Sequence, residues 1–141
     1  MTEGGTWTPL DHTADIGFEV RGPNAETVLV AAGRALMSLL ADPSNIAPRV
    51  QRHVSIRGND PAEVLVRWLS EILYLHDAEG LLLCDFEVER LEGGRLEGWV
   101  SGEPFDPTRH LILTEIKAVT YHMAFLGEEG GGWLGRVILD V

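Results

Sequence analysis

Asp60-Pro61-Ala62-Glu63-Val64-Leu65-Val66-Arg67-Trp68-Leu69-Ser70-Glu71-Ile72-Leu73-Tyr74-Leu75 reads as the opening and body of a helix. Asp60 suits the N-cap and Pro61 the first helical position, where a missing N–H does no harm. Glu63 falls where a capping box wants an acid. Val64, Leu65, Trp68, Leu69, Ile72 and Leu73 recur at helical spacing and form one apolar stripe. Gly80 predicts the stop, because glycine reaches the left-handed conformation that closes a helix. Beyond it the period changes to two. Leu81 to Leu91 and Arg95 to Ser101 read as strands joined by the turn Glu92-Gly93-Gly94.

The same reading extends outward in both directions. Upstream, Trp7 to Leu10 suggests a short strand, and Ile16 to Arg21 alternates apolar with polar as a half-buried strand does. Gly22-Pro23 breaks that strand, and Asn24 caps a helix carrying Val28, Leu29, Ala32, Leu36, Leu39 and Leu40 until Asp42-Pro43 stops it. Val50 to Arg57 alternates again. Downstream, residues 102–110 read as a loop, and Ile116 to Leu126 and Trp133 to Val141 as a last hairpin across the turn 127–132. The expected fold class is α+β: two helices packed on a mostly antiparallel, multi-stranded sheet in the order β-α-β-α-β-β-β-β. Residues 1–6 read as a flexible N-terminus ahead of one domain over 7–141.

Composition narrows the function classes. The 141 residues carry a net charge of −11, which argues against a domain that grips a phosphate backbone with clustered Lys and Arg. No apolar run is long enough for a transmembrane helix, and the N-terminal residues lack the pattern of a secretory signal. The single cysteine, Cys84, leaves no disulfide framework or cysteine cluster and reads as an inert core thiol. The expected compartment is the cytoplasm. Among eleven basic residues only Lys117 is a lysine, and an ammonium does not substitute freely for a guanidinium.

The polar chemistry concentrates in Asp11-His12-Thr13-Ala14-Asp15, at the mouth of the strand that begins at Ile16. Carboxylates there are costly to desolvate unless a cation neutralises them. Asp140, near the other end of the sequence, belongs to the same chemistry if the two ends meet. Oxygen ligands of this kind suit calcium or magnesium, and a terminal carboxylate on Val141 would add two more oxygens. Alternatively, Asp11 or Asp15 caps a turn through its own side chain. His12 beside Thr13 suits an acid–base or nucleophilic set or, the favoured reading, a structural histidine donating to a backbone carbonyl. On a regular strand, Lys117, Val119 and Tyr121 would share one face and Ala118, Thr120 and His122 the other. No phosphate-cradling glycine string and no serine nucleophile elbow occurs.

His12-Thr13-Ala14-Asp15-Ile16-Gly17, Ile116-Lys117-Ala118-Val119-Thr120-Tyr121-His122 and Val137-Ile138-Leu139-Asp140-Val141 resemble the archease family in order and spacing. Trp68-Leu69-Ser70-Glu71-Ile72-Leu73-Tyr74-Leu75 and Gly102-Glu103-Pro104-Phe105-Asp106-Pro107 are similar to its middle segments, so the likeness runs from about Trp7 to Val141. The resemblance implies a cytoplasmic accessory protein in tRNA splicing and RNA repair, not itself an enzyme. Its partner is an RtcB-type RNA-splicing ligase, which joins RNA ends through a guanylylated histidine using GTP and manganese. The accessory protein promotes that guanylylation and multiple turnover. The resemblance further implies a divalent metal, calcium foremost with magnesium or manganese possible, held by Asp15, Asp140 and Val141. Asp11, His12 and His122 become supporting positions, and Lys117 matches a lysine tied to activation. GTP would be met only through the ligase, with no direct contact to nucleic acid or membrane. The rival readings are a free-standing metal-dependent phosphoester hydrolase and a chaperone or adaptor for RNA-modifying proteins.

Overall fold

The computed structural model describes residues 4–11 and 15–141, the side chains of Pro9, Leu10 and Asp11 excepted. Its elements are β1 (Thr6–Asp11), β2 (Asp15–Gly22), α1 (Ala25–Leu40), a 3-10 turn (Pro43–Asn45), β3 (Val50–Arg57), α2 (Pro61–Glu79), β4 (Leu81–Glu92), β5 (Arg95–Pro104), β6 (Ala118–Glu129) and β7 (Gly132–Asp140). The helices begin where local chemistry fixes them. Asn24 Oδ1 accepts from Thr27 N at 2.8 Å, and Asp60 Oδ1 accepts from Glu63 N at 2.9 Å. Glu63 reaches back one residue further than a standard capping box, to Asn59 N at 2.6 Å. Gly80 closes α2 in the left-handed conformation, φ 69°. Gly93-Gly94 and Gly130-Gly131 all have positive φ, as the tight turns β4–β5 and β6–β7 demand.

The α+β class with two helices on antiparallel strands is as expected, but the strands divide into two sheets. One has the order β1-β2-β7-β6 and the other β3-β5-β4. Helix α1 bears on β2 and β4 and so bridges the sheets, while α2 lies mainly on β6. Trp68 fills the space between them. It is fully buried, its Nε1 donates to Leu29 O at 2.8 Å, and its ring edge stacks against Gly98. Among the described residues, no helix is long and apolar enough to cross a membrane.

Three boundaries differ from expectation. Gly5 is buried and β1 starts at Thr6, so order begins inside the stretch 1–6 read as flexible; residues 1–3 lie outside the described residues. The connection after β5 runs to Lys117; it carries a β-bridge between Ala41 and Ile112 and backbone bonds to Leu40 and Asp42. Strand β6 is not regular over 117–122. Its register against β7 shifts between Thr120 and Phe125, and Met123 takes φ 57°. Lys117 precedes the strand and Tyr121 sits in this bulge, so both are exposed while Val119 is buried. The expected common face of 117, 119 and 121 does not form.

Candidate metal centre

Strands β2 and β7 run antiparallel, and their register sets Asp15 directly opposite Asp140. Side chains at opposed positions share a face, with Cβ atoms about 4.5–5.5 Å apart. The two ends of the sequence therefore do meet. On the far side of β7, Ala118 pairs with Asp140, and the Lys117 N–H donates to Asp140 O at 2.8 Å. On the far side of β2, Asp11 of β1 pairs with Ile16. Asp11, Asp15, Asp140 and Lys117 thus line one end of the four-stranded sheet in strand order.

Among the described residues, this end is poor in local compensation. Asp15 is half-buried and Asp140 exposed. Among the described residues, neither carboxylate has a hydrogen-bond or ion-pair partner. Like charges directly opposed on a sheet destabilise it. The opposed pair farther along the same face is neutralised instead, with Glu19 opposite Arg136 and their side chains 3.5 Å apart. A divalent cation would relieve the first pair as Arg136 relieves the second, and oxygen donors fit calcium, magnesium or manganese. The described residues include no group of three or more His, Cys, Asp or Glu side chains arranged to hold a metal. The remaining ligands would come from Val141, which is half-buried against the core, from Asp11, or from water.

The other sequence candidates fall as follows. His12 and the Asp11 side chain lie outside the described residues. Lys117 is exposed beside Asp140. His122 is exposed within the bulge, set back along β7 beyond Ile138 rather than beside Asp140. Cys84 is half-buried, and desolvation, with Asp85 and Glu103 nearby, pushes its thiol up to about 11. It therefore stays protonated at neutral pH, consistent with an inert thiol.

Two arrangements escaped the sequence reading. Arg136 braces the bulge: its Nε donates to Met123 O at 2.9 Å, and its guanidinium lies 5.7 Å from the centre of the Phe125 ring. The second is Glu103, only 1% exposed in what reads as a loop. Its carboxylate accepts from Arg109 Nη2 at 2.7 Å, Ala47 N at 2.8 Å, Arg49 Nε at 3.0 Å and His110 Nε2 at 3.0 Å. His110 Nδ1 accepts from Asp106 N at 2.9 Å, which assigns the ring proton to Nε2. The knot pins the start of the long connection that ends at Lys117. The bonds from Arg109, then from Ala47 N–H, hold the Glu103 carboxyl well below the usual carboxylate range. A depressed folded value contributes stability above the unfolded value and loses it as pH falls toward the folded one. Thermal melts against pH are expected to show this contribution fading below about pH 4.5, the group's ordinary value. Glu103→Gln should be less stable at neutral pH and show a shallower acid slope; an unchanged slope would remove Glu103 as its cause.

Comparison with known proteins covers nearly the whole chain. The model of the archease protein family (MTH1598/TM1083) matches residues 7–141. A protein named archease from Methanopyrus kandleri is 39% identical over 96% of this chain and 99% of its own length. Another from Pyrococcus furiosus is 36% identical over 96% of this chain and 98% of its own. The solution structure of Methanobacterium thermoautotrophicum protein 1598 is similar at a TM-score of 0.82 and 33% identity, covering 99% of this chain and all of that one. The crystal structure of a Thermotoga maritima archease, described as a possible chaperone, shares the fold at a TM-score of 0.61 and 22% identity, covering 95% of this chain and 96% of that one.

Proposed function

The chain belongs to the archease family, and on that premise we propose that it is an accessory protein rather than an enzyme, activating an RtcB-type RNA-splicing ligase in the cytoplasm during tRNA splicing and RNA repair. The observation that carries the reading is the juxtaposition of Asp15 with Asp140, two carboxylates without a partner among the described residues, at one sheet end with Lys117 alongside. Asp15, Asp140 and Val141 would hold a divalent cation, calcium foremost, with magnesium or manganese also suited to oxygen donors. Such an ion supplies positive charge for phosphate oxygens.

The chain's own residues would act by position. The ladder β1-β2-β7-β6 fixes the two carboxylates on adjacent strands, and strands hold a site more rigidly than loops do. Lys117 is tethered through its backbone to Asp140 O, so its flexible side chain starts beside the acids. Presented together to the ligase's nucleotide site, the acids and the ammonium would orient the triphosphate for in-line attack by the ligase histidine. GTP is met there, through the partner, and the acidic surface disfavours direct RNA contact.

The test is a guanylylation time course of the purified ligase with and without this chain, beside an assay of the chain alone on phosphoesters with magnesium or manganese. Acceleration of guanylylation with no turnover by the chain alone is expected. Turnover by the chain alone would favour a hydrolase. Equal rescue of an unrelated aggregating protein, with no effect on the ligase, would favour a chaperone.

A further inference from the structure

The three-stranded sheet ends in an unpaired edge, the outer side of β4, and that edge has a hollow on each of its faces. On the solvent face, Asp85 stands opposite Ser101 and Glu87 opposite Trp99. These residues and Gln51 surround a hollow of about 310 Å³. Its aromatic wall is held in place: the Trp99 ring meets His53 edge-on at 4.9 Å, and His53 Nε2 lies 3.1 Å from Glu97. Asp85 and Glu87 are exposed, and among the described residues neither carboxylate has a hydrogen-bond or ion-pair partner. On the opposite face, between β4 and α1, lie hollows of about 300 and 200 Å³. Val30, Met37, Phe86 and Val88 give them an apolar floor, and Arg34 borders both, with Glu26 and Thr27 at the first and Ser38 at the second.

The strand itself frames this window. Its register against β5 is irregular between Leu83 and Asp85 and again between Val88 and Arg90, leaving Asp85–Val88 as a regular stretch between two bulges. Irregularities of this kind ordinarily guard an edge or re-aim side chains. Here they leave a short length of edge with acids on one face and, on the other, hollows with an apolar floor and a polar rim.

We infer that β4 is a docking edge for an extended segment of a partner protein in which basic and apolar side chains alternate. A strand added to an edge places successive side chains on opposite faces. One set would enter the hollows beside α1. The other, arginine or lysine, would lie across Glu87 toward the Trp99 ring, where a cation gains from both the carboxylates and the indole. Charge selects the occupant. A second copy of this chain pairing antiparallel about Phe86 would set Asp85 against Glu87, and like charges directly opposed are unfavourable. An acidic segment is rejected for the same reason. The edge belongs to the other sheet from Asp15 and Asp140, so the inference stands independently of the proposed action on a ligase.

The test uses the whole chain, isotope-labelled, titrated with a short peptide alternating arginine with valine and with a control carrying glutamate in place of arginine. Backbone amide resonances of Asp85–Val88 and the Trp99 indole N–H are followed. The expected result is saturable shifts confined to those signals with the arginine peptide alone, and affinity at least tenfold weaker in the double variant Asp85→Lys, Glu87→Lys. Both positions are exposed, and circular dichroism checks that the variant keeps its fold. Four outcomes would overturn the inference: no shifts at millimolar peptide, shifts of equal size in the double variant, shifts centred on the acidic turn at Glu128-Glu129, or β4 shifts that grow with protein concentration without peptide.

Discussion

Asp15→Ala and Asp140→Ala are each expected to slow ligase guanylylation by at least ten- to a hundredfold relative to the wild-type chain. Removing even an indirect support of a metal ligand commonly costs that much in affinity or activity, and these are the proposed ligands themselves. The two substitutions should be nearly equivalent, because the carboxylates occupy one cross-strand pair and neither alone makes the site. The loss should not come from unfolding. In divalent-free buffer, Asp15→Asn and Asp140→Asn relieve an opposed like-charge pair worth about 0.2–1 kcal/mol, so each should melt no lower than wild type. With excess calcium the order should reverse, since a ligand bound only by the folded wild type stabilises it by about 2.7 kcal/mol at a hundred times its dissociation constant. Time courses beside thermal melts separate a lost site from a lost fold.

Trp68→Ala is expected to cost about 3–5 kcal/mol, the range for truncating a large buried aromatic side chain. Trp68 is fully buried, and its indole donates to the Leu29 carbonyl inside α1. Removal therefore opens a cavity and takes away a second donor from a carbonyl that also bonds within α1. Against a typical total of about 5–15 kcal/mol, that is a large share of the fold's stability. Trp68→Phe isolates the second effect: most of the ring volume stays, the N–H is lost, and about 0.5–1.5 kcal/mol should go with it. Urea denaturation would read both as a lower midpoint at unchanged slope. A midpoint for Trp68→Ala within experimental error of wild type would contradict the packing described.

The parts legible in the sequence are those fixed by near neighbours. Asn24, Asp60-Pro61 and Gly80 bound the helices within a few residues of themselves, and Gly93-Gly94 folds a turn whatever lies elsewhere. Alternation along Ile16–Arg21 names the buried face of a strand but not the strand beside it, which is why one sheet was expected and two are found. The bulge between Thr120 and Phe125 was hidden for a related reason. It is braced by Arg136 from the neighbouring strand, and the residues inside it alternate as a regular strand would. Glu103 was hidden because its partners stand 6, 7, 54 and 56 residues away. An acid flanked by proline in an apparent loop gives no local hint of burial. For the candidate metal centre, the residue types were readable and their distance was not. Asp15 and Asp140 lie at opposite ends of the sequence, and only the pairing of β2 with β7 brings them together.

A calcium titration of the whole chain, followed through the backbone amides of Asp15, Ala118 and Asp140, asks whether those two carboxylates share one cation. One saturable site per chain, moving those three amides together and absent from both Asp15→Asn and Asp140→Asn, is the expected result. Calcium binding that survives undiminished in both variants, or wild-type amides that stay still at millimolar calcium, would contradict it.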